Sequence, residues 1–379
     1  MKMLYVTTIA RERFGGFIRS SIQAAKNVGI EYHVVANESG VDQVVKDEEC
    51  ERIKVHHHHI DIQRSPFAFI KNKKAYHQLL KLMNEEHFDM IHCNTPMGGV
   101  LGRLAARKAG IKEIIYQVHG FHFWKGAPLK NWLLYYPIEK ILAHYTDLLI
   151  TINQEDYAFA QKKLKAKEII YIPGVGVDTS RFTSISAERK AQLRKEFGIP
   201  DDAVVMLSVG ELNKNKNHQL AIKALGKLKR QDIYYVICGE GELQAKLQEL
   251  ADEHGVGARL KLVGFRSDVQ DFYGMADLFV FTSFREGIPA VVMEAMSSRI
   301  PVVASRIRGV VDMLPGSKLL FDPQNEDDLA QRITLAIEDE SLKQKEIERN
   351  AGNLKPFLFE SVVVQYEKVY RDSLTGLSS

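Results

Sequence analysis

Two carboxylates and two lysines are the residues best placed for chemistry in this chain. Glu286 and Glu294 stand with seven residues between them in FREGIPAVVMEAM, and Lys214 and Lys216 stand in GELNKNKNH. Glu286 falls in a polar loop, Thr282 to Ile288, that follows the apolar run Leu278 to Phe281. Pro289 then opens a helix, because its missing N–H would be unpaired at the first helical position anyway. The free N–H groups of that helix start point back at the loop and offer a site for a phosphate. Carboxylates touching the phosphate would repel it; set slightly outward, they accept hydrogen bonds from a diol such as ribose or a hexose. The stretch therefore reads as a nucleotide-sugar pocket. The plainer alternative is that Glu286 serves the helix dipole and Glu294 a solvated helix face. Lys214 and Lys216 lie directly before another helix, where lysine acts as a point-charge partner for phosphate.

Other strand ends carry weaker signals. RERFGGF places Gly15 and Gly16 before a helix, where backbone can approach a ligand closely, although paired glycines are often only a turn. NTPMGG is a similar turn after Met90 to Cys93. His119 ends the run Ile114 to Val118 with Gly120 beside it, so it can reach into an interdomain cleft. Its side chain suits proton transfer, while a lone histidine is more often structural. GEGEL at Gly239 to Leu243 is half of a dinucleotide fingerprint, which is weak by itself. His56 to His59 form a run of four histidines. In a strand they alternate between faces, so at most two meet on each, and a structural or solvated strand is the expectation rather than a metal site.

These residues need elements to hold them. Short apolar runs alternate with helical patterns along the whole chain. In the first half strands are expected at 3–8, 32–36, 90–93, 114–118, 148–152 and 169–172. In the second they fall at 204–209, 234–238, 260–263, 278–281, 302–304 and 319–321. Such alternation argues for parallel sheets covered on both faces by helices, in which ligands bind beyond the carboxyl ends of the strands. A chain of 379 residues suggests two domains. The looser stretch from Pro173 to about Pro200 reads as their connector. A last helical pattern, Phe357 to Leu374, gathers Val362, Val363, Tyr366, Val369 and Tyr370 on one side.

The net charge of +3 implies no nucleic-acid partner. Cys50, Cys93 and Cys238 match no disulfide or zinc spacing; Cys50 reads as part of a charged loop, and a reducing cytoplasm is the simplest setting. MKMLYVTTIA is too short and strand-like for a signal peptide, and no stretch reaches the roughly 18 apolar residues of a membrane span. Lys125 to Tyr145 combines basic residues with Trp132, Leu133, Leu134, Tyr135 and Tyr136. It reads either as an interfacial membrane patch or as a core-facing helix whose lysines snorkel, and Pro137 weakens any long helix there.

Taken together, FGGF, HCNTPMGGVLGRLAAR, HGFHFWKGAP, ITINQEDY, YIPGVGVDTSRF, VGELNKNKNH, ICGEGEL, VGFRSDV and FREGIPAVVMEAM resemble family 4 of the glycosyltransferases over nearly the whole length. The HGFHF and GELNKNKNH variants look most like bacterial exopolysaccharide and capsule enzymes. The resemblance implies an α/β, GT-B fold, two Rossmann-like domains facing across a cleft. It places an acceptor-binding domain at 1–175 and a donor-binding domain at 176–356, with helix 357–374 crossing back to the first. It further implies that Glu294 binds the nucleotide ribose, that Glu286 with the backbone of Gly287, Ile288 and Pro289 holds the donor sugar and its diphosphate, and that Lys216 binds the diphosphate. Phe265 and Arg266 fall where the base is held, Gly15 and Gly16 match the glycine loop near the phosphates, and His119 matches the histidine facing the reacting sugar. Many members carry an arginine where this chain has Glu211; Lys214 is the candidate to replace its charge.

The expectation is a retaining transferase moving a hexose or N-acetylhexosamine from a UDP-sugar to a lipid-linked acceptor, without a cofactor or bound metal. It would act in the cytoplasm, peripheral to the inner face of the membrane, beside other polysaccharide-assembly enzymes. A nucleotide-sugar epimerase and a non-catalytic scaffold partner are the alternatives. A dinucleotide oxidoreductase is disfavoured because TTIARERFGGF replaces the fingerprint glycines after the first strand.

Overall fold

The computed structural model describes every residue except Ile9, Lys125, Val175, Thr183 and Ser379, and for residue 17 and residues 376–378 the backbone alone. The chain divides into two compact units, Met1–Gly176 with Phe359–Ser379, and Val177–Leu358. The expected domain boundary at 175 lies outside the described residues.

The first unit is built on strands β1 (Lys2–Val6), β2 (Glu31–Ala36), β3 (His56–His59), β4 (Met90–Asn94), β5 (Glu113–Val118), β6 (Leu148–Thr151) and β7 (Glu168–Tyr171). They form one sheet in the order β3-β2-β1-β4-β5-β6-β7, with every pair parallel. The second unit uses β8 (Val204–Val209), β9 (Ile233–Cys238), β10 (Leu260–Leu262), β11 (Leu278–Phe281), β12 (Val302–Ser305) and β13 (Leu320–Phe321) in the order β10-β9-β8-β11-β12-β13, again all parallel. The inner strands are buried along their length, as β4 and β11 show, because helices cover both faces of a parallel sheet.

The strand orders fix where ligands can go. After β1 the chain builds β2 and β3 on one side, then returns to lay β4 on the other, so β1 and β4 diverge. In the second unit β8 and β11 diverge in the same way. A crevice opens at the carboxyl ends of such diverging strands. Asn94 ends β4, and the loops leaving these strands carry Gly15, Thr95, Lys216 and Glu286.

Several local expectations change. Gln43–Arg52 is a helix rather than a loop, opened by Asp42, whose carboxylate accepts from the N–H groups of Val44 and Val45. Cys50 is therefore buried on a helix instead of sitting in a charged loop. The helix shows little apolar periodicity, and its aspartate cap was the signal available. A further helix, Glu340–Asn353, is capped by Asp339. Pro137 lies inside the helix Leu129–Leu142 without ending it.

The last helix, Phe359–Ser378, begins after a 3-10 turn at Lys355–Phe357. It packs within the first unit on the helix Gly16–Asn27, burying Val362, Val363, Tyr366, Val369 and Tyr370. Its tyrosines are also hydrogen-bonded there. Tyr370 Oη lies 2.6 Å from Ser21 Oγ and 2.9 Å from His92 Nδ1, and Tyr366 Oη donates to Gln117 Oε1 at 2.6 Å. Buried phenols are tolerated because each reaches a partner.

Candidate functional site

In the second unit the loops after β8 and β11 are tied to each other. Phe284 N donates to Asn215 O at 2.9 Å, and Thr282 Oγ1 donates to Lys216 O at 2.7 Å. Asn215 Nδ2 donates to Arg285 O at 3.0 Å and to Glu286 Oε1 at 3.3 Å. Lys216 Nζ reaches the same Glu286 oxygen at 2.8 Å, with both side chains about one-fifth exposed. A pair this sheltered is screened less than a surface ion pair. Lys214, two residues earlier, is exposed.

The helix after the Glu286 loop is Ala290–Ser297, and Pro289 is its N-cap in extended conformation, not its first helical residue. Pro289 makes no side-chain capping hydrogen bond, so the leading N–H groups of the helix keep their capacity for an anion. Gly309 supports the loop from beneath. Its φ is +76°, and a Cβ there would lie 1.7 Å from Gly287 O. Ser283 Oγ, buried within the same loop, has no hydrogen-bond partner among the described residues. That donor was missed by sequence reasoning, since nothing in FTSFREG distinguishes it.

Glu294 sits farther along the helix, half-buried, and accepts from Tyr273 Oη at 3.0 Å. Burial raises its carboxyl above the usual range, opposed by the Tyr273 hydrogen bond and by the positive charge of Arg181. The ring of Phe182 lies edge-on to Tyr273 at 5.5 Å, which fixes the phenol. Phe265 and Arg266, side by side in sequence, part in the structure. Phe265 is 76% exposed. Arg266 is held to Asp268 by two hydrogen bonds of 2.9 and 2.8 Å and lies over the Phe272 ring. The GEGEL glycines have an internal reason: a Cβ at Gly239, where φ is +157°, would fall 1.9 Å from Gly210 O.

In the first unit a pocket beyond β1 and β4 is lined by Tyr5, Gly15, Gly16, Asn94, Thr95 and His119. Gly15 is the N-cap of the helix Gly16–Asn27 and has an ordinary φ of −86°. A Cβ on Gly15 would meet no described atom within 4 Å, and one on Gly16 only Gly176 O at 3.8 Å. Neither glycine is demanded by internal crowding. Their lack of side chains leaves room in the pocket.

His119 is half-buried in this wall, with Nε2 2.7 Å from Asn94 Oδ1. Since the amide oxygen accepts, Nε2 carries the proton in this assignment. Burial pushes the imidazole down to about 4, so it is neutral at pH 7. Thr95, next to Asn94, has φ +62° and ψ 154°. A β-branched residue pays roughly 1–3 kcal/mol in that region, and such strain gathers at functional sites. Sequence reading saw a turn at NTPMGG and had no signal for the strained residue.

The segment read as an interfacial patch is divided. Trp132, Tyr135 and Tyr136 pack against the core, around Phe123 and Phe159. Leu129, Leu133 and Ile141 point outward and are well exposed. Lys125 lies outside the described residues. Among the described residues no helix is long and apolar enough to cross a membrane.

Comparison with known proteins matches residues 189–353 to the family model for glycosyl transferases group 1 and residues 9–153 to that for glycosyl transferase 4-like domains. EpsD, a Bacillus subtilis (strain 168) protein assigned to the glycosyltransferases, is 40% identical over 314 residues, 81% of this chain and 79% of its own. An Escherichia coli enzyme, UDP-Gal:alpha-D-GlcNAc-diphosphoundecaprenol alpha-1,3-galactosyltransferase, is 32% identical over 250 residues, 64% of each chain. Among solved structures, Anabaena HepE in complex with UDP and glucose superposes with a TM-score of 0.79, covering 99% of this chain and 100% of that one. Its sequence identity is 22%, so this likeness is one of fold.

Proposed function

This chain belongs to family 4 of the glycosyltransferases and carries their GT-B fold, and from that premise we propose that it transfers a hexose or N-acetylhexosamine from a UDP-sugar to a lipid-linked saccharide, with retention of anomeric configuration. The observation that carries the reading is the Lys216–Glu286 pair beside a helix start that also presents Glu294. UDP is favoured because the galactosyltransferase relative uses UDP-Gal and HepE was crystallised with UDP. A lipid-linked acceptor follows from the diphosphoundecaprenol substrate in that relative's name. Exposed Leu129, Leu133 and Ile141 suit peripheral contact with the inner face of the membrane.

In this reading the bond from the anomeric carbon to the UDP oxygen breaks, and the acceptor oxygen bonds to that carbon from the same face. UDP takes the electron pair, and the proton of the acceptor hydroxyl passes to the departing diphosphate oxygen on the same face. The difficulty is the charge gathering on the diphosphate. Lys216, Lys214 and the helix start at Ala290 meet it with fixed positive potential, so the reading calls for no metal or other cofactor. Glu286, with the backbone of Gly287, Ile288 and Pro289, positions the sugar once Lys216 turns toward phosphate. Glu294 accepts from the ribose hydroxyls, Phe265 offers its face to the base, and Gly15 and Gly16 leave space near the phosphates. His119, uncharged, faces the reacting sugar as a hydrogen-bonding group.

Calorimetric titration with UDP, GDP, ADP and NAD tests this, on the natural chain and on Lys216→Ala. Micromolar UDP binding that weakens at least tenfold in the variant is expected. Preference for another nucleotide, or equal affinity in Lys216→Ala, overturns the assignment.

A further inference from the structure

The histidine run is not absorbed by the transferase reading. β3 is the edge strand of the first unit's sheet, with β2 as its neighbour. The parallel register sets His33 of β2 directly beside His56 of β3. Glu31, two residues before His33, shares its face of the strand. The two imidazoles stack with centroids 4.5 Å apart and planes 25° from parallel. Glu31 Oε1 lies 2.9 Å from His33 Nε2 and 3.7 Å from His56 Nε2, and one ligand atom from each of the three residues lies within 4.8 Å of the others.

We infer that Glu31, His33 and His56 form a binding site for one zinc ion that clips the edge strand to the sheet. Zinc takes imidazole nitrogen and carboxylate oxygen at about 2.0–2.2 Å in a tetrahedron, which sets ligand atoms roughly 3.4 Å apart. The two separations to Glu31 Oε1 bracket that value, and closing the site takes a shift of the half-exposed glutamate and a turn of the exposed His56 ring out of its stack, since nearly parallel rings do not aim their lone pairs at one ion. Water completes the fourth position on this open rim.

A second histidine orients the first. His58 Nε2 lies 2.9 Å from His33 Nδ1. When Nδ1 carries the proton and donates to His58, the lone pair of Nε2 faces the carboxylate; such outer partners fix the tautomer of metal-bound histidine. Without metal the opposite tautomer serves, with His33 Nε2–H donating to Glu31. Zinc then exchanges that proton for the metal, His58 hands its Nε2 proton to His33, and His58 takes one from water at Nδ1. The proton count is unchanged. Lys2 Nζ, 3.9 Å from Glu31 Oε1, opposes the cation, but it is drawn away by Glu86 Oε2 at 3.1 Å. Phe88 packs edge-on against His33 and keeps water from its inner side.

The opposite face supplies a control. His57 lies between Glu38 and Asp47, 3.1 and 2.8 Å away, and cannot reach the His33 face. Chelator-treated full chain is titrated calorimetrically with zinc chloride, for the natural sequence and for His56→Ala, Glu31→Gln and His57→Ala. His56 is mostly exposed, and the fold of each variant is checked by circular dichroism. One equivalent per chain is expected, weakened at least tenfold in His56→Ala and Glu31→Gln and unchanged in His57→Ala. Nitrogen-15 spectra of the natural chain should show His33 and His58 exchanging tautomers as zinc is added. Absence of saturable uptake, uptake undiminished in His56→Ala, or loss in His57→Ala instead overturns the site.

Discussion

The loops after β8 and β11 hold the same topological place in their sheet as the loops after β1 and β4 hold in theirs, yet the two places differ in electrostatic character. In the second unit the loops bring a lysine and a glutamate together, and the helix that follows carries a second glutamate. In the first they bring a neutral histidine, an amide and two open glycines. One crevice sets its cation in a carboxylate pair ahead of a helix start, while the other, whose wall also carries the cations Arg11, Arg13 and Lys46, keeps its histidine neutral and its glycine side open. The same topology therefore supplies position, and the loop residues decide what each position can do.

The sharpest way to break this contrast is to remove charge from the second unit. Lys216→Ala deletes the positive group and leaves Glu286 without its ion-pair partner. A loss of about a thousandfold in kcat/KM for sugar transfer from UDP-sugar is expected, at the upper end of what one fixed electrostatic donor supplies. Steady-state rates decide it. A loss below fivefold would mean that the pair is a loop brace and that the charged crevice is elsewhere.

The matching experiment in the first unit is His119→Ala. It removes a neutral hydrogen-bonding group, so kcat should fall about a hundredfold while UDP affinity stays within twofold. An equal fall in affinity would erase the distinction between the two regions. The same burial has a consequence for stability. The folded values of His119 and His218 lie at about 4 and that of His92 at about 3, below the ordinary 6.5. The unfolded chain thus binds protons first as acid is added. Stability is complete above pH 6.5 and is lost as pH falls toward 4, at up to about 1.4 kcal/mol per pH unit for each histidine. His92 and His119 belong to the first unit and His218 to the second. Amide exchange between pH 7 and 4.5 should show the first unit opening earlier.

A smaller effect separates binding from chemistry within the charged crevice. Glu294→Ala should weaken UDP about thirtyfold, the worth of hydrogen bonds from a diol to a charged acceptor, with kcat within a few-fold. The natural carboxyl, raised by burial, should bind UDP less well as acid protonates it. Unchanged UDP affinity in Glu294→Ala would remove the ribose role.

The sheets were the most legible part of the sequence because buried parallel strands are uninterrupted apolar runs, and β8 and β11 fall where those runs do. The apolar side of the last helix was legible for the same reason, as Val362, Tyr366 and Tyr370 repeat with the helix turn. The helix Gln43–Arg52 was not, since its charges mask any apolar stripe and only Asp42 announces it. Spacing alone set Glu286 near a helix start, but the Lys216 contact spans seventy residues of sequence and depends on which strands are neighbours. Thr95 and Ser283 illustrate the limit: a backbone angle and an unpartnered hydroxyl are properties of packing, and no residue type encodes them.

The smallest expected effect concerns Glu211, where related enzymes were expected to carry arginine. Its Oε2 accepts from Asn213 Nδ2 at 2.9 Å, and Asn213 Oδ1 accepts from Lys216 N at 3.1 Å. One amide thus couples the exposed carboxylate to the backbone of the key lysine. Glu211→Arg adds a cation near the diphosphate position but releases Asn213, and the two changes oppose each other. A UDP affinity within about threefold of the natural chain is expected, since exposed charges contribute roughly 0–1 kcal/mol. Glu211→Gln keeps an acceptor for Asn213 and should change affinity less than Glu211→Arg does. A tenfold gain in Glu211→Arg would show that the charged crevice lacks a cation at this point. A tenfold loss in both variants would show that the carboxylate holds Lys216 in place through Asn213.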